Sequence, residues 1–375
     1  MTPTLTDILD QGPSWTTTLR AVAALGDAVP RADRPWVFVG SGASYYAAQA
    51  AAGLLSALGH PRAVASPASE AWMSPELWIP EGSVVVGLSR TGTTTETVEA
   101  LNAARRRGAT TVGVTLTAGT PLAVGVDHGV VLDHVGETGR VMTRSFANLK
   151  LAAQALAVAA VSVVGGRDDA VRYHSGLGDL GTQFTRRQAD LDAAARVLAG
   201  GSWTSLVLLA SGPGVAIARQ GALQLQETSR LSAEAYPVLE YRHGPVARLD
   251  DQTLVVVLTS ARSVAADLLI SQDVALLGGS LVVCGEPAAL ARFGAAQTTV
   301  VTSSGLPLWL QADAALPFLQ LVAYHRTDAL GDTSESVHNL DRSIDPHINP
   351  HAIRVDLFGA STPIGDTAAD AATSR

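Results

Sequence analysis

A constant offset of 170 residues brings the two halves of this chain into register without a gap, and this internal repeat constrains the fold more than any single motif. Gly42 in VFVGSGAS meets Gly212 in VLLASGPG, and the apolar run Val84–Leu88 meets Leu254–Leu258. Gly108 meets Gly278, Glu70 meets Glu240, Val130-Val131 meets Val300-Val301, and Leu149 meets Leu319. Apolar strands coincide by chance often; glycines, a glutamate and several strands at one offset do not. Two tandem copies of one domain are therefore expected, over 31–165 and 201–335. An N-terminal helical segment (1–30) precedes them and a polar, helix-prone connector (166–200) joins them. A C-terminal segment (336–358) follows, and the Ala/Thr/Asp-rich end (359–375) is expected to be a disordered tail.

Within each copy, short Val/Leu runs ending in Gly or Ser alternate with longer Ala/Leu-rich stretches of helical spacing, as in Trp36–Val39 before Ala43–Leu58. Runs that are continuously apolar rather than alternating indicate strands buried on both faces. The expected fold class is α/β, each copy a parallel sheet flanked by helices in three α/β/α layers. The chain has 47% hydrophobic and 16% charged residues, which excludes a disordered polypeptide. A net charge of −8 argues against nucleic acid as a partner. No apolar stretch is expected to reach membrane-spanning length, no signal peptide is evident, and the lone Cys284 suits a reducing, cytoplasmic setting. Of the 26 basic residues only Lys150 is a lysine, so a mechanism needing an amine nucleophile has one candidate.

Function is expected where duplicated copies diverge. The first copy carries Ser89-Arg90-Thr91-Gly92-Thr93-Thr94-Thr95 between a strand and a helix, and Ser44 lies in the neighbouring strand-to-helix turn. Hydroxyls, a guanidinium and helix N-terminal N–H groups together suit an anion, phosphate being the usual one. A capping box at Thr93–Glu96 would need only one or two of these hydroxyls. The matching second-copy loop, Thr259–Ser263, has lost the glycine and most hydroxyls and reads as structural. The second copy instead offers Gln224 and Glu227 on a helix and His243 in Glu240-Tyr241-Arg242-His243-Gly244-Pro245. Glu227 and His243 suit general acid–base chemistry, although position alone leaves an exposed helical glutamate and a plain turn histidine open. No metal site is expected: His347 and His351 are four apart, but Pro346 and Pro350 forbid the helix that would align them.

Taken in order, GSGAS (40–44), LSRTGTTTET (88–97), GETGRVMTRSF (136–146), GALQLQE (221–227), SEAYPVLEYRHGP (232–245) and HNLDR (338–342) resemble double sugar isomerase (SIS) domain proteins. The chain is similar to the isomerase half of glucosamine-6-phosphate synthase and to amino-sugar-phosphate deaminases and ketose/aldose isomerases. The resemblance implies that Ser44, Ser89, Thr91 and Thr94 bind a sugar phosphate, with Arg90 in the same loop. It implies that Glu227 moves a proton between C1 and C2, and that His243 assists ring opening in the neighbouring subunit of a homodimer. It implies no cofactor and no metal. Three positions depart from the synthase pattern: Gln224 and Arg342 each replace a lysine, and Met142 replaces a serine. With no glutaminase cysteine in evidence, the expected activity is isomerisation or deamination of a hexosamine or ketohexose 6-phosphate. The alternative is a non-catalytic sugar-phosphate sensor.

Overall fold

The computed structural model of the chain describes residues 1–163, 167–294, 297–335 and 337. Two short helices open it, α1 (Pro3–Leu9) and α2 (Gln11–Ala23). The first copy runs β1 (Trp36–Gly40), α3 (Ala43–Ala57), β2 (Ala63–Pro67), β3 (Val84–Ser89), α4 (Thr95–Arg106), β4 (Thr110–Thr115), β5 (His128–Val131) and α5 (Arg144–Val163). A single helix, α6 (Arg167–Ala199), leads to the second copy. That copy runs β6 (Ser205–Ala210), α7 (Gly214–Ser229), β7 (Ser232–Pro237), β8 (Thr253–Leu258), α8 (Val264–Leu276), β9 (Ser280–Gly285), β10 (Thr298–Val301) and α9 (Leu316–Ala329).

Each copy forms one five-stranded sheet, in the orders β2-β1-β3-β4-β5 and β7-β6-β8-β9-β10. Every pairing is parallel. Equivalent strands sit in equivalent places, so the repeat read from the sequence is a repeat of topology. Parallel strands bring all strand carboxyl ends to one edge, where ligands of such sheets bind. Ser89 and the turn after Gly40 share that edge, because β1 pairs directly with β3.

The two copies are less separate than a pair of beads on a string. Inward residues of both sheets (Phe38, Val86 and Val112 in one, Leu208, Val256 and Leu254 in the other) belong to a single continuous core. Alternate residues on the same strands, such as Val85 and Val255, face separate outer clusters under α4 and α8. The connector also does more than connect: Tyr173, Leu177, Leu180, Phe184 and Leu191 on α6 are buried in the shared core.

One sequence expectation needs correction. Arg144–Ser162 in α5 is long and apolar enough to cross a membrane, but 89% of that window is buried inside the fold. A helix buried on all sides is apolar all round, which is why its composition imitates a span. Lys150 on this helix is buried too, with Nζ 3.0 Å from Asp313 Oδ1 across the seam between copies. Gln154 Nε2 donates to the other oxygen of Asp313 at 2.8 Å. An ammonium locked in this way is not a free nucleophile. The C-terminal stretch beyond 337, including Arg342, His347, His351 and the expected tail, lies outside the described residues.

Candidate functional site

The hydroxyl-rich loop is held open by its glycine. Gly92 has φ +71°, and a Cβ there would sit 2.1 Å from Thr120 Oγ1, so no other residue fits. This turn points the Gly92 N–H at Ser89 Oγ (3.1 Å). Ser89 Oγ lies 2.8 Å from Thr94 Oγ1 and 3.5 Å from Thr91 Oγ1, and Thr93 Oγ1 donates to Thr91 Oγ1 at 3.1 Å. The hydroxyls thus face one another. Thr94 is the N-cap of α4, yet its side chain makes no capping hydrogen bond. The capping alternative is not realised, and the first N–H groups of α4 lack a side-chain acceptor there. Ser44, buried in the first turn of α3, makes no side-chain hydrogen bond among the described residues. A pocket of about 650 Å³ opens beside the loop, lined by Arg90, Thr91, Leu116, Thr117, Glu137 and Arg140 among others. Its size suits a small-molecule ligand.

The second copy reaches the same region through α7. Gln220 Nε2 donates to the Met142 carbonyl at 3.4 Å, which places this helix beside the first copy's 136–146 loop. Gln224 and Glu227 follow at helical spacing. Glu227 is partly buried, and its side chain makes no hydrogen bond among the described residues. Burial pushes its carboxyl up to about 7, and the nearby Arg90 guanidinium opposes that rise. Tyr46 on α3 is raised chiefly by burial, and Glu227 also pushes it upward, so that ring lies close as well. Glu227 therefore lies within electrostatic reach of first-copy groups across the seam, though it does not line the pocket. Gln224 is buried, and neither end of its amide has a partner among the described residues. Two unpaired amide atoms in an interior are an open demand for a ligand or water.

Among the described residues no hydrogen bond joins His243 to Glu227 within the chain. It is exposed, follows a short 3₁₀ turn (Glu240–Arg242), and makes no side-chain hydrogen bond. Gly244 behind it has φ +126° with open space around it, a conformation that strains any other residue. No group of three or more His, Cys, Asp or Glu side chains able to hold a metal occurs among the described residues.

The second copy's loop has a physical reason for differing. Asp267, fully buried in α8, accepts from Thr259 Oγ1 (2.6 Å) and Ser263 Oγ (2.8 Å). Its counterpart at the 170 offset is Thr97. A built-in carboxylate thus occupies the hydroxyls that an anion would need. Burial pushes Asp267 up to about 6, against the pull of those two hydroxyls.

The sequence alone gives Glu137 and Asp7 no role, yet both organise this edge. Glu137 Oε2 accepts from Arg90 Nη1 at 3.3 Å, and its Oε1 accepts from the backbone N–H groups of Thr143 (2.8 Å) and Ser145 (3.0 Å). The signal available was an acid a few residues before a helix start, where free N–H groups need an acceptor.

These two sheets with their strand-end loops match a known family model. The SIS domain model covers residues 33–159 and 202–288, more than half the chain, and the chain belongs to the SIS domain family. It is 27% identical over 360 residues to glutamine–fructose-6-phosphate aminotransferase [isomerizing] 1 of Arabidopsis thaliana, covering 92% of this chain and 52% of that protein. It is 30% identical over 270 residues to the corresponding aminotransferase of Caulobacter vibrioides, covering 70% and 44%. The chain thus aligns with about half the length of these relatives. Among solved structures, the C-terminal domain of the Francisella tularensis aminotransferase aligns with TM-score 0.78 at 21% identity, covering 90% of this chain and 98% of that one. Glucosamine-6-phosphate deaminase of Thermotoga maritima aligns with TM-score 0.73 at 23% identity, covering 90% and 98%. Tagatose-6-phosphate ketose/aldose isomerase of Escherichia coli aligns with TM-score 0.77 at 20% identity, covering 89% and 94%. These solved structures share the fold of this chain.

Proposed function

We propose that this chain isomerises a hexosamine 6-phosphate and releases its C2 nitrogen as ammonia, as a homodimer and without a cofactor. The observation that carries the reading is Glu227, a partner-less carboxyl held near neutrality within electrostatic reach of the hydroxyl loop's arginine. A base poised at about 7 can both take and return a proton at ordinary pH. In this reading Ser44, Ser89, Thr91 and Thr94, with Arg90, grip the phosphate of the open sugar. Glu227 removes the proton from C2 and delivers it to C1, while a second proton passes from nitrogen to O1. The 2-amino aldose becomes a 2-imino ketose; water then adds at C2 and ammonia departs, leaving ketohexose 6-phosphate. A ketohexose 6-phosphate, which lacks the nitrogen, would undergo only the proton transfers and in reverse, from C1 to C2, giving the aldose. Release of ammonia and ketose from glucosamine 6-phosphate by the purified chain is the expected result. Binding without turnover across a panel of hexose and hexosamine 6-phosphates overturns it. That outcome would favour the sensor reading, which the absence of a free lysine beside Glu227 supports.

The phosphate is expected to use the first copy alone. Thr91→Ala with Thr94→Ala should weaken sugar-phosphate binding, each lost bond to a charged group being worth roughly 1.5–3 kcal/mol. Ser260→Ala with Ser263→Ala should leave affinity alone and lower thermal stability, since Asp267 loses a donor. Equal affinity losses in calorimetry at both loops would contradict the asymmetry.

His243, exposed and without a partner, is read as serving the neighbouring subunit's site. Mixing Glu227→Gln chains with His243→Ala chains should then restore part of the turnover, because one mixed site is intact. No recovery after confirmed subunit exchange would remove the shared site.

A further inference from the structure

We propose that Glu137 is a positioning residue that holds Arg90 at the phosphate loop, and that helix α1 belongs to the frame of this site through Asp7. The inference rests on the sugar-phosphate reading above. Neither α1 nor α2 falls within the residues matched by the family model, which begins at residue 33.

The geometry defines a fixed post and a tethered arm. The Glu137 side chain is 2% exposed and that of Arg90 36%. Glu137 Oε1 accepts three bonds at the start of α5, from Thr143 N (2.8 Å), Thr143 Oγ1 (3.0 Å) and Ser145 N (3.0 Å), and Oε2 also accepts from Ser145 Oγ. A carboxylate with that many donors cannot swing. Arg90 spends only one nitrogen on the post: Nη1 donates to Glu137 Oε2 (3.3 Å) and to the Arg140 carbonyl (3.2 Å). Its Nε–H and Nη2–H make no hydrogen bond among the described residues. Those two donors form one edge of the planar guanidinium, the fork that grips two oxygens of a phosphate at once. Glu137 thus fixes the arginine by one corner and leaves the recognising edge free.

The chain on either side of Glu137 is pinned by the N-terminal segment. Asp7 Oδ2 accepts from the N–H groups of Thr138 (2.9 Å) and Gly139 (2.7 Å). Its Oδ1 pairs with Arg144 Nη2 at 3.1 Å, and Arg144 Nη1 holds the Val135 carbonyl at 3.1 Å. Residues 135 and 138–139 are thereby clamped, with Glu137 between them. The start of the chain is anchored in turn to the far copy, since Thr2 Oγ1 donates to Tyr324 OH at 3.1 Å. Asp7 is 1% exposed and has no ligand-facing edge, so it acts on the site only through this loop.

The test is a double-mutant cycle read by calorimetry with an unreactive hexitol 6-phosphate, so that binding is measured without turnover. Glu137→Gln keeps an oxygen for the α5 N–H groups and removes the charge facing Arg90. It is expected to weaken binding by roughly tenfold in the wild-type background, and by less than about twofold in the Arg90→Gln background. A role confined to stability would lower affinity equally in both. Asp7→Asn, with and without Arg90→Gln, repeats the cycle from a residue that touches neither Arg90 nor ligand, and should show the same dependence on Arg90 with a smaller loss. Equal losses in both backgrounds, or no loss from Glu137→Gln, overturn the inference. If the wild-type chain binds no hexitol phosphate, the site reading falls and takes this inference with it.

Discussion

Glu227→Gln is expected to lower turnover of a hexosamine 6-phosphate by roughly 10²–10⁴-fold while sugar-phosphate binding survives. The substitution keeps the side-chain volume and removes the carboxylate proposed to carry a proton between adjacent carbons. The pH profile gives an independent check. A base must be deprotonated to act, and burial has pushed this carboxyl up to about 7, so activity should rise with pH through that region. Arg90 holds the value down, so Arg90→Gln should move the acid limb of the profile to higher pH as well as weaken phosphate binding. Gln224→Lys offers the converse. An ammonium beside Glu227 would stabilise a developing enediolate better than a neutral amide does. The same charge would also pull the Glu227 limb to lower pH. Turnover that is unchanged by Glu227→Gln, or an acid limb near the ordinary carboxylate range, would remove Glu227 as the base.

The scaffold was legible because duplication writes it twice. Strand positions such as 110–115 and 280–285 recur at the offset the sequence displays, and strands buried on both faces read as continuous apolar runs. The hydroxyl loop was legible for a similar reason, as it breaks the repeat. What was not legible is which face a helix turns to its neighbour. The stretch GALQLQE has weak amphipathicity, so nothing in it says that Glu227 is partly buried while Gln226 is exposed. That depends on α3 and the 136–146 loop packing against the helix, a long-range matter. The apolar length of α5 exceeds what the sequence reading allowed, and length alone would not have placed it, since a core helix and a membrane span differ only in what surrounds them. Asp267 and Glu137 lay within reach of the repeat comparison but carry no pattern of their own. Their roles arise from hydrogen bonds to loop groups four to eight residues away and, for Glu137, also to Arg90 on a distant loop.

Lys150→Met should destabilise the fold by roughly 3–5 kcal/mol, the usual consequence of stranding one member of a buried ion pair. Both side chains are 3% exposed, and the pair joins α5 of the first copy to Asp313 of the second, so water does not screen it. Methionine restores the volume but leaves Asp313 with only the Gln154 amide as partner. The mate of this contact across the repeat is neutral: Gln320, 170 residues after Lys150, donates to the carbonyl of Thr143, 170 residues before Asp313, at 3.1 Å. The fold therefore tolerates an uncharged version of the same joint, and the vulnerability lies in the orphaned charge rather than in a missing attraction. Lys150→Met with Asp313→Asn removes both charges, retains an acceptor for Gln154, and should recover most of the loss. The double variant should also keep its turnover, because the only lysine in the chain is structural and not an amine nucleophile. Denaturant midpoints at constant m, read beside an activity assay, decide the matter. A single variant within about 1 kcal/mol of wild type would mean the seam is not held by this pair, and a stable but inactive double variant would return Lys150 to the chemistry.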